Sequence, residues 1–460
     1  MQPAVPQRAT PMIQASDVRG RVILPGDTDY DTMRSVFYGD LDRHPSAIVR
    51  PANATDVARV VTFARESRIE LAVRGGGHSP SGHSTTEGGL VIDLRDLKSL
   101  EIDAAHRTAW AETGLTAAEF TAAAAADGLA VGFGDAGSVG IGGITLGGGV
   151  GFLVRKHGLT IDSLLAAEIV TADGRIIYTD AEEHPDLFWA IRGGGGNFGV
   201  ATRLKFQLHE LNGIVGGILI LPATADTIVD FVAAAEDAPE ELSTIANVMP
   251  APPLPFVPEP SHGQVVIFGM MVYAGDAADG ARAMAPFRAI AKPIADMVRP
   301  MQLPDMYPPE EGSYHPTAVF RTLFIDSIDH DVARDIVDRL SASDAGMRVA
   351  QLRALGGAAA RVAPDATAYA HRASRIMVNV AAFYNGPDDR IVRDAWVREF
   401  AAALRQSDSG AYVNFLGDEG TERVREAYPG KTWERLQAVK SRYDPGNLFR
   451  LNQNVPPTPL

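Results

Sequence analysis

The stretch Ser138-Val139-Gly140-Ile141-Gly142-Gly143-Ile144-Thr145-Leu146-Gly147-Gly148-Gly149 belongs to a long glycine block, Gly132 to Gly151. Glycine at this density is a poor former of helix or strand, so we expect the segment to let a large planar ligand or another backbone approach closely. A flexible glycine linker is the alternative. The interleaved Val, Ile and Leu residues favour a buried, shaped segment instead.

Two further glycine blocks lie on either side of this stretch, at 75–77 and 193–199. The first reads Arg74-Gly75-Gly76-Gly77-His78-Ser79 and follows a predicted short strand, Leu71-Ala72-Val73. Successive glycines let main-chain N–H groups converge on a pyrophosphate, and a fixed histidine can offer a ring nitrogen to a bound cofactor. A glycine turn beside an ordinary surface histidine remains the alternative, and His83 competes as the functional histidine.

A nicotinamide-binding Rossmann unit is the obvious rival explanation of these glycines. The pattern Gly-x-Gly-x-x-Gly occurs at 132–137 and at 194–199. The second match precedes residues that alternate as in a strand from Val200, and the first runs into more glycine. Neither match has the helix and the βαβ context that the fingerprint requires, so we set this interpretation aside.

Composition excludes several classes of function. The chain has 460 residues, 46% of them hydrophobic, and 42 Lys and Arg against 57 Asp and Glu give a formal charge of -15. That charge repels phosphate backbones and acidic lipids, so we expect neither nucleic acid nor a membrane surface as a partner. The chain has no cysteine, which excludes disulfides, thiolate metal sites and cysteine nucleophiles. We also find no spacing of metal ligands.

The sequence predicts a cytoplasmic protein. Met1 to Gln14 lacks the apolar run of a secretory signal. Nowhere do about 18 consecutive apolar residues predict a membrane span.

The distribution of glycine also predicts the domains. Residues 1–213, with a core at 42–213, form a cofactor-binding part, 214–411 a second domain with a proline-rich loop at 250–260, and 412–460 a segment that completes the first part. Local signals predict a helix capped by Thr55, a capping box Thr116 to Glu119, a hairpin over 167–178, and a helix over 433–443 that ends at Asp444-Pro445.

Several motifs in this order resemble the berberine bridge enzyme family, and within it the bacterial 6-hydroxynicotine oxidases and related monocovalent flavoproteins. They cover about 42–213 and 412–460. The motifs are Arg74–Ser79, Val139–Gly149, Lys156–Leu159 with Asp162, Asp186–Gly199, Tyr443–Phe449 and Asn452–Asn454.

The resemblance implies an α+β protein with a vanillyl alcohol oxidase-type FAD-binding domain of two α/β subdomains. An inserted α+β substrate domain would carry an antiparallel sheet. His78 matches the histidine that family members bond to the flavin 8α-methyl carbon. Many members add a cysteinyl bond, but that position is Ala136 here, so the resemblance implies FAD attached by His78 alone.

The resemblance and the glycine blocks together name the residues expected at FAD. Asn452 and Asn454 belong to a segment that lies near the flavin pyrimidine edge in relatives. The full set is Arg74, Gly75, Gly76, Gly77, His78, Ser79, Gly82, His83, Ser138, Val139, Gly140, Gly142, Gly143, Thr145, Leu146, Gly149, Gly199, Val200, Asn452 and Asn454.

The implied reaction is hydride transfer from a small-molecule substrate, an amine or an alcohol, to flavin N5. Reoxidation by dioxygen would give hydrogen peroxide, and a valine at the position of Val139 accompanies oxygen use in relatives. Several relatives carry their base in Tyr-x-Asn-Tyr, which here reads Tyr412-Val413-Asn414-Phe415, and phenylalanine cannot take a proton. Tyr412, Tyr384 and His371 are the remaining candidates.

Some alternatives stay open at the level of sequence. An FAD dehydrogenase with another electron acceptor and a non-catalytic flavin-binding protein both fit the motifs. Sugar, secondary alcohol and cyclic amine substrates, and a monomer or a homodimer, are all compatible with the sequence.

Overall fold

A computed structural model describes residues 13–309 and 314–458. The prediction about a secretory signal concerns Met1 to Gln14, of which residues 1–12 lie outside the described residues. Within the described ranges, no helix is both long and apolar enough to cross a membrane.

The strands of the described residues follow in chain order. They are β1 (Arg21–Ile23), β2 (Ala47–Arg50), β3 (Leu71–Arg74), β4 (Leu90–Asp93), β5 (Leu100–Asp103), β6 (Thr108–Glu112), β7 (Leu129–Ala130), β8 (Leu164–Val170), β9 (Ile176–Asp180), β10 (Val200–Gln207), β11 (His209–Glu210), β12 (Ile214–Pro222), β13 (Leu242–Pro250), β14 (Val265–Tyr273), β15 (Ala295–Asp296), β16 (Arg299–Met301), β17 (Ala318–Ile325), β18 (Arg348–Ala354) and β19 (Ile376–Phe383).

The α-helices of the same ranges are α1 (Tyr30–Arg34), α2 (Ala54–Ser67), α3 (Ala117–Ala125), α4 (Ile141–Leu146), α5 (Val154–His157), α6 (Pro185–Ile191), α7 (Ala225–Asp237), α8 (Ala277–Ile290), α9 (His330–Ala342), α10 (Gly357–Arg361), α11 (Gly386–Leu404), α12 (Thr421–Ala427) and α13 (Lys431–Tyr443).

Two sheets build the N-terminal part. The first has the order β1-β2-β4-β3, with β2, β4 and β3 parallel and β1 antiparallel at the edge. The second is antiparallel, with the order β5-β6-β10-β8-β9. The loop with the first glycine block therefore begins where the parallel strand β3 ends.

An eight-stranded antiparallel sheet follows, with the order β15-β12-β14-β13-β18-β19-β17 and β16 paired with β12. Alternate residues of its strands pack under helices α7, α8, α9 and α11. The other residues, among them Phe320 and Asn379, face the N-terminal part. The predicted α+β class with an antiparallel sheet is confirmed. The predicted division at 213 and 214 falls directly before β12 and stays a prediction.

Most local predictions are confirmed. The Thr116 capping box begins α3, β8 and β9 form the hairpin, and α13 ends at Tyr443. The predicted N-cap residue of α2 is wrong: the side chain of Asn53, not that of Thr55, accepts a hydrogen bond from the Asp56 N–H. An asparagine side chain two residues earlier reaches the same free N–H groups.

The expectation that the long glycine block forms no helix is also wrong for six residues. Ile141–Leu146 is the short helix α4, with Ile141 and Leu146 buried. Burial of these apolar side chains offsets the low helix propensity of Gly142 and Gly143.

Buried cations join distant parts of the chain. Arg372, in the loop before β19, makes a bidentate ion pair with Asp162. The distances from Nη1 to Oδ2 and from Nη2 to Oδ1 are both 2.7 Å. Lys440 on α13 is fully buried and donates to the Asp444 carboxylate at 2.7 Å, and to the carbonyls of Asn197 at 2.7 Å and Phe449 at 2.8 Å. Lys440 thereby ties α13 and the C-terminal segment to the third glycine block.

We expect Lys440→Met to lower the free energy of unfolding by about 3 kcal/mol, because it leaves the buried Asp444 carboxylate without its counter-charge. The shift of the urea midpoint, followed by circular dichroism, measures this. Arg442→Met on the same helix removes an exposed ion pair with Asp186 and should cost less than about 1 kcal/mol. Equal shifts in the two variants would contradict the role of Lys440.

Candidate active site

The first two glycine blocks touch each other backbone to backbone. A Cβ on Gly76 would lie 2.3 Å from the Gly140 nitrogen, and a Cβ on Gly140 would lie 2.3 Å from the Gly76 nitrogen. The loop before α4 is fixed by bonds to the start of α3, where Ala117 N–H donates to the Val139 carbonyl at 2.8 Å. Only glycine permits this approach, because any side chain would overlap the opposite backbone.

A cavity of about 430 Å³ lies beside this contact, a volume typical of sites for organic ligands. Its walls come from all three glycine blocks, the C-terminal segment and the eight-stranded sheet. The predicted cofactor residues that line it are Gly75, Gly76, Gly77, His78, Ser79, His83, Val139, Gly140, Gly142, Gly143, Leu146, Gly199, Val200 and Asn452.

His78 is held on two sides. The Phe37 ring stacks on its imidazole with centroids 4.1 Å apart and planes at 21°. Ser138 Oγ lies 2.8 Å from His78 Nε2. The competing His83 also lines the cavity, and burial, reinforced by Arg43, lowers its pKa to about 4. His83 is therefore neutral at physiological pH.

Six residues expected at the cofactor do not line the cavity: Arg74, Gly82, Ser138, Thr145, Gly149 and Asn454. The Arg74 guanidinium instead binds the carbonyls of Ser84 at 3.1 Å, Arg34 at 3.2 Å and Met33. Thr145 Oγ1 donates to the Ile141 carbonyl within α4 at 2.6 Å. The Arg74 and Thr145 side chains thus hold the loops around the cavity. Contact of these six residues with a ligand stays a prediction.

Of the candidate bases, Tyr412 alone lines the cavity. Its hydroxyl oxygen accepts hydrogen bonds from Gly149 N at 3.0 Å, Val150 N at 3.2 Å and Asn414 Nδ2 at 2.9 Å. Burial raises the Tyr412 pKa, and these three bonds oppose that shift. The oxygen is thus committed to fixing the end of the long glycine block.

The other two candidates lie elsewhere. The Tyr384 hydroxyl donates to Asp40 at 2.6 Å, and burial together with that carboxylate raises its pKa. His371 packs on Phe324 with its Nε2 3.1 Å from the Ala427 carbonyl, and burial lowers its pKa. Neither contributes to the cavity walls.

Part of the cavity wall is aromatic. Phe37, Tyr38, Phe320 and Phe415 line it, with Asn379 among them. Asn379 Oδ1 is buried and has no hydrogen-bond partner among the described residues. We did not find Asn379 from the sequence, although one polar residue in the middle of the apolar strand β19 is a signal that could have revealed it.

Asp135 brings a charge to the same cavity. Its carboxylate accepts from Arg353 Nη2 at 2.8 Å, and the Arg353 guanidinium lies 5.3 Å from the centre of the Phe415 ring. Arg353 also donates to Gln351 on the same strand, at 2.8 and 3.0 Å. This ion pair therefore joins the eight-stranded sheet to the long glycine block.

The chain is similar to known proteins along most of its length. Residues 45–180 match the family model described as FAD binding domain, and residues 411–456 match the one described as Berberine and berberine like. The (R)-6-hydroxynicotine oxidase of Paenarthrobacter nicotinovorans is 30% identical over 466 residues, which are 98% of each chain. This chain belongs to the berberine bridge enzyme-like family of FAD-linked oxidoreductases.

Solved structures of relatives show the same fold. The crystal structure of 6-hydroxy-D-nicotine oxidase from Arthrobacter nicotinovorans has a TM-score of 0.85 and 30% identity, covering 98% of this chain and 100% of that one. A chitooligosaccharide oxidase, at 23% identity, has a TM-score of 0.82 over 96% of this chain and 98% of that one, which shows the fold alone.

The cavity of this berberine bridge enzyme-like protein fits FAD. At Gly143, Gly195 and Gly196, which line it, a Cβ would meet no described atom within 4 Å, so the backbone itself forms the wall. Asn452 Oδ1 and Ser84 Oγ are buried at the cavity without a partner in the described part of the chain. Polar groups of a bound cofactor would satisfy them.

Gly143→Ala tests this fit. The added methyl group enters the cavity, so we expect FAD binding to weaken by roughly 1 to 3 kcal/mol. The fold should be retained, because alanine is the better helix former in α4. The flavin-to-protein ratio of the purified protein, read from its absorption spectrum, measures the effect.

Gly346→Ala is the matched control. This glycine also has no described atom within 4 Å of a Cβ, and it lies in an exposed loop before β18. If Gly143→Ala kept the same flavin content as the parent and the control, the cavity would not be the FAD site.

Proposed function

We propose that this protein is an FAD-dependent oxidase with FAD bound covalently to His78. It would remove a hydride from a small organic substrate and reduce dioxygen to hydrogen peroxide. One observation carries the proposal: the His78 loop, the glycine blocks, the aromatic residues and Asn379 all line a single cavity.

The residues around His78 support the attachment of FAD by a single covalent bond. His78 lines the cavity beside the close contact of Gly76 and Gly140. Ala136, at the position of the second tether in many relatives, also lines the cavity, and its methyl group cannot form such a bond. When bound, FAD supplies the hydride acceptor that no side chain can provide.

The aromatic residues and Asn379 in the cavity wall support a compact substrate with a flat or apolar body. Phe320 and Phe415 offer apolar contact area, and the Asn379 amide offers an acceptor for a substrate N–H or O–H group. Such a group would satisfy the buried Asn379 oxygen and orient the substrate. The Asp135 carboxylate, held by Arg353, would favour a donor or a positive charge nearby.

The lack of an available base among the candidate residues favours an amine substrate over an alcohol. Phe415 cannot accept a proton, the Tyr412 oxygen already accepts three hydrogen bonds, and Tyr384 and His371 lie outside the cavity walls. An alcohol must lose its O–H proton as hydride leaves, whereas a neutral amine needs no base for that step. The relative named for 6-hydroxynicotine is in keeping with this preference.

We also propose that the protein acts in the cytoplasm, a reducing compartment with which the absence of cysteine is compatible.

Acid precipitation tests the covalent attachment. We expect the precipitated parent protein to stay yellow, because a covalent bond survives unfolding. His78→Ala should release its flavin into the supernatant, since the tether is gone. Absorbance of the two fractions measures this, and His83→Ala serves as the control that should keep its colour. A colourless precipitate from the parent protein would refute the attachment.

Reaction with oxygen tests the assignment as an oxidase. We expect photoreduced protein, mixed with aerated buffer, to regain its oxidised spectrum within seconds and to release hydrogen peroxide. The small side chain of Val139 at the cavity supports this expectation, because it leaves more room than a leucine would. Reoxidation over many minutes, with rapid electron transfer to a quinone instead, would identify a dehydrogenase.

A further inference from the structure

We propose that Ser138 and Phe37 are positioning residues for the attachment of FAD to His78. This inference rests on the proposed covalent attachment and goes beyond it, because it assigns the step to two side chains that do not form the bond. Two contacts carry it: the 2.8 Å approach of Ser138 Oγ to His78 Nε2, and the stacking of Phe37 on the imidazole.

The two contacts restrain different motions of the ring. Stacking at 4.1 Å fixes the plane of the imidazole, and the hydrogen bond fixes its rotation within that plane. A nucleophile held in one orientation reacts faster, since the entropy of alignment is already lost. The ring nitrogen that attacks is thereby aimed in one direction within the cavity.

Both contacts are anchored by backbone. Ser138 lies between Gly137, whose carbonyl accepts from Ala118 N at 3.0 Å, and Val139, whose carbonyl accepts from Ala117 N at 2.8 Å. Phe37 N donates to the Gly77 carbonyl at 3.2 Å, directly before His78. The fold itself therefore places the hydroxyl and the phenyl ring against the imidazole.

The Ser138 hydroxyl would also influence which ring nitrogen of His78 carries the proton during attachment. A bond would form between a ring nitrogen of His78 and the 8α carbon, and one methyl C–H bond and the imidazole N–H bond would break. The two electrons and two protons set free would reduce dioxygen to hydrogen peroxide, so the cofactor would end oxidised. When Nε2 carries the imidazole proton, it donates to Ser138 Oγ, and the other ring nitrogen holds the lone pair that attacks.

The chain contains a matched pair for comparison. Ser163 Oγ lies 3.0 Å from His209 Nε2, and His209 stacks on His157 at 4.0 Å and 13°. This second serine–histidine pair has nearly the same geometry but does not line the cavity. Ser163→Ala therefore removes an equivalent hydrogen bond without touching the site.

The test follows acid-stable flavin over time. Full-length protein from flavin-limited cells is incubated with FAD in air, and covalent and total bound flavin are measured in samples precipitated at intervals. We expect Ser138→Ala to bind FAD but to attach it at least roughly fivefold more slowly, as the loss of one hydrogen bond implies. Ser138→Thr, which keeps the hydroxyl, should restore the rate, and Ser163→Ala should match the parent.

Phe37→Leu supplies an independent test, because it removes the stack and keeps an apolar side chain. We expect slower attachment here too, and this variant decides the question if Ser138→Ala fails to fold. Attachment at the parent's rate in both variants would overturn the inference while leaving the covalent bond intact. A parent protein without acid-stable flavin would overturn the proposed attachment and this inference together.

Discussion

The backbone contact between Gly76 and Gly140 is the constraint on which the site depends. Because neither position can hold a side chain, the loop after the parallel strand β3 lies directly against the start of α4. His78 and Ser138 come within 2.8 Å of each other as a result. A buried cation, Lys440, fixes the C-terminal segment against the third glycine block, and Phe449 and Asn197 from these two segments line the same cavity.

The contacts around the cavity explain why its chemistry would differ from that of relatives with a tyrosine base. The Tyr412 oxygen stabilises the backbone of Gly149 and Val150, so it acts as a structural acceptor. Phe415 replaces the ionisable side chain and packs against Tyr412 with ring centres 5.1 Å apart. Under the proposed function, such a wall would orient a substrate but offer little help in removing a proton, which would suit the oxidation of a neutral amine.

The resemblance carried by the motifs predicted the fold. The glycine blocks predicted many of the residues that line the cavity, because such blocks are local signals. The sequence did not predict that Arg74 would bind carbonyls of another loop, since the choice of partner depends on tertiary contacts. Nor did it predict that Tyr384 and His371 lie outside the cavity walls, because a titratable residue in a sequence gives no sign of which cavity it faces. Asn379 was missed, although a polar residue inside an apolar strand marks a buried function or a buried bond.

Mass spectrometry of the denatured protein tests the central claim most directly. If the glycine contact holds His78 against FAD as described, the intact chain should carry the added mass of one FAD. Proteolysis should then locate that mass on the peptide that contains His78. A chain with the mass of the polypeptide alone, or an FAD on a peptide without His78, would contradict the account.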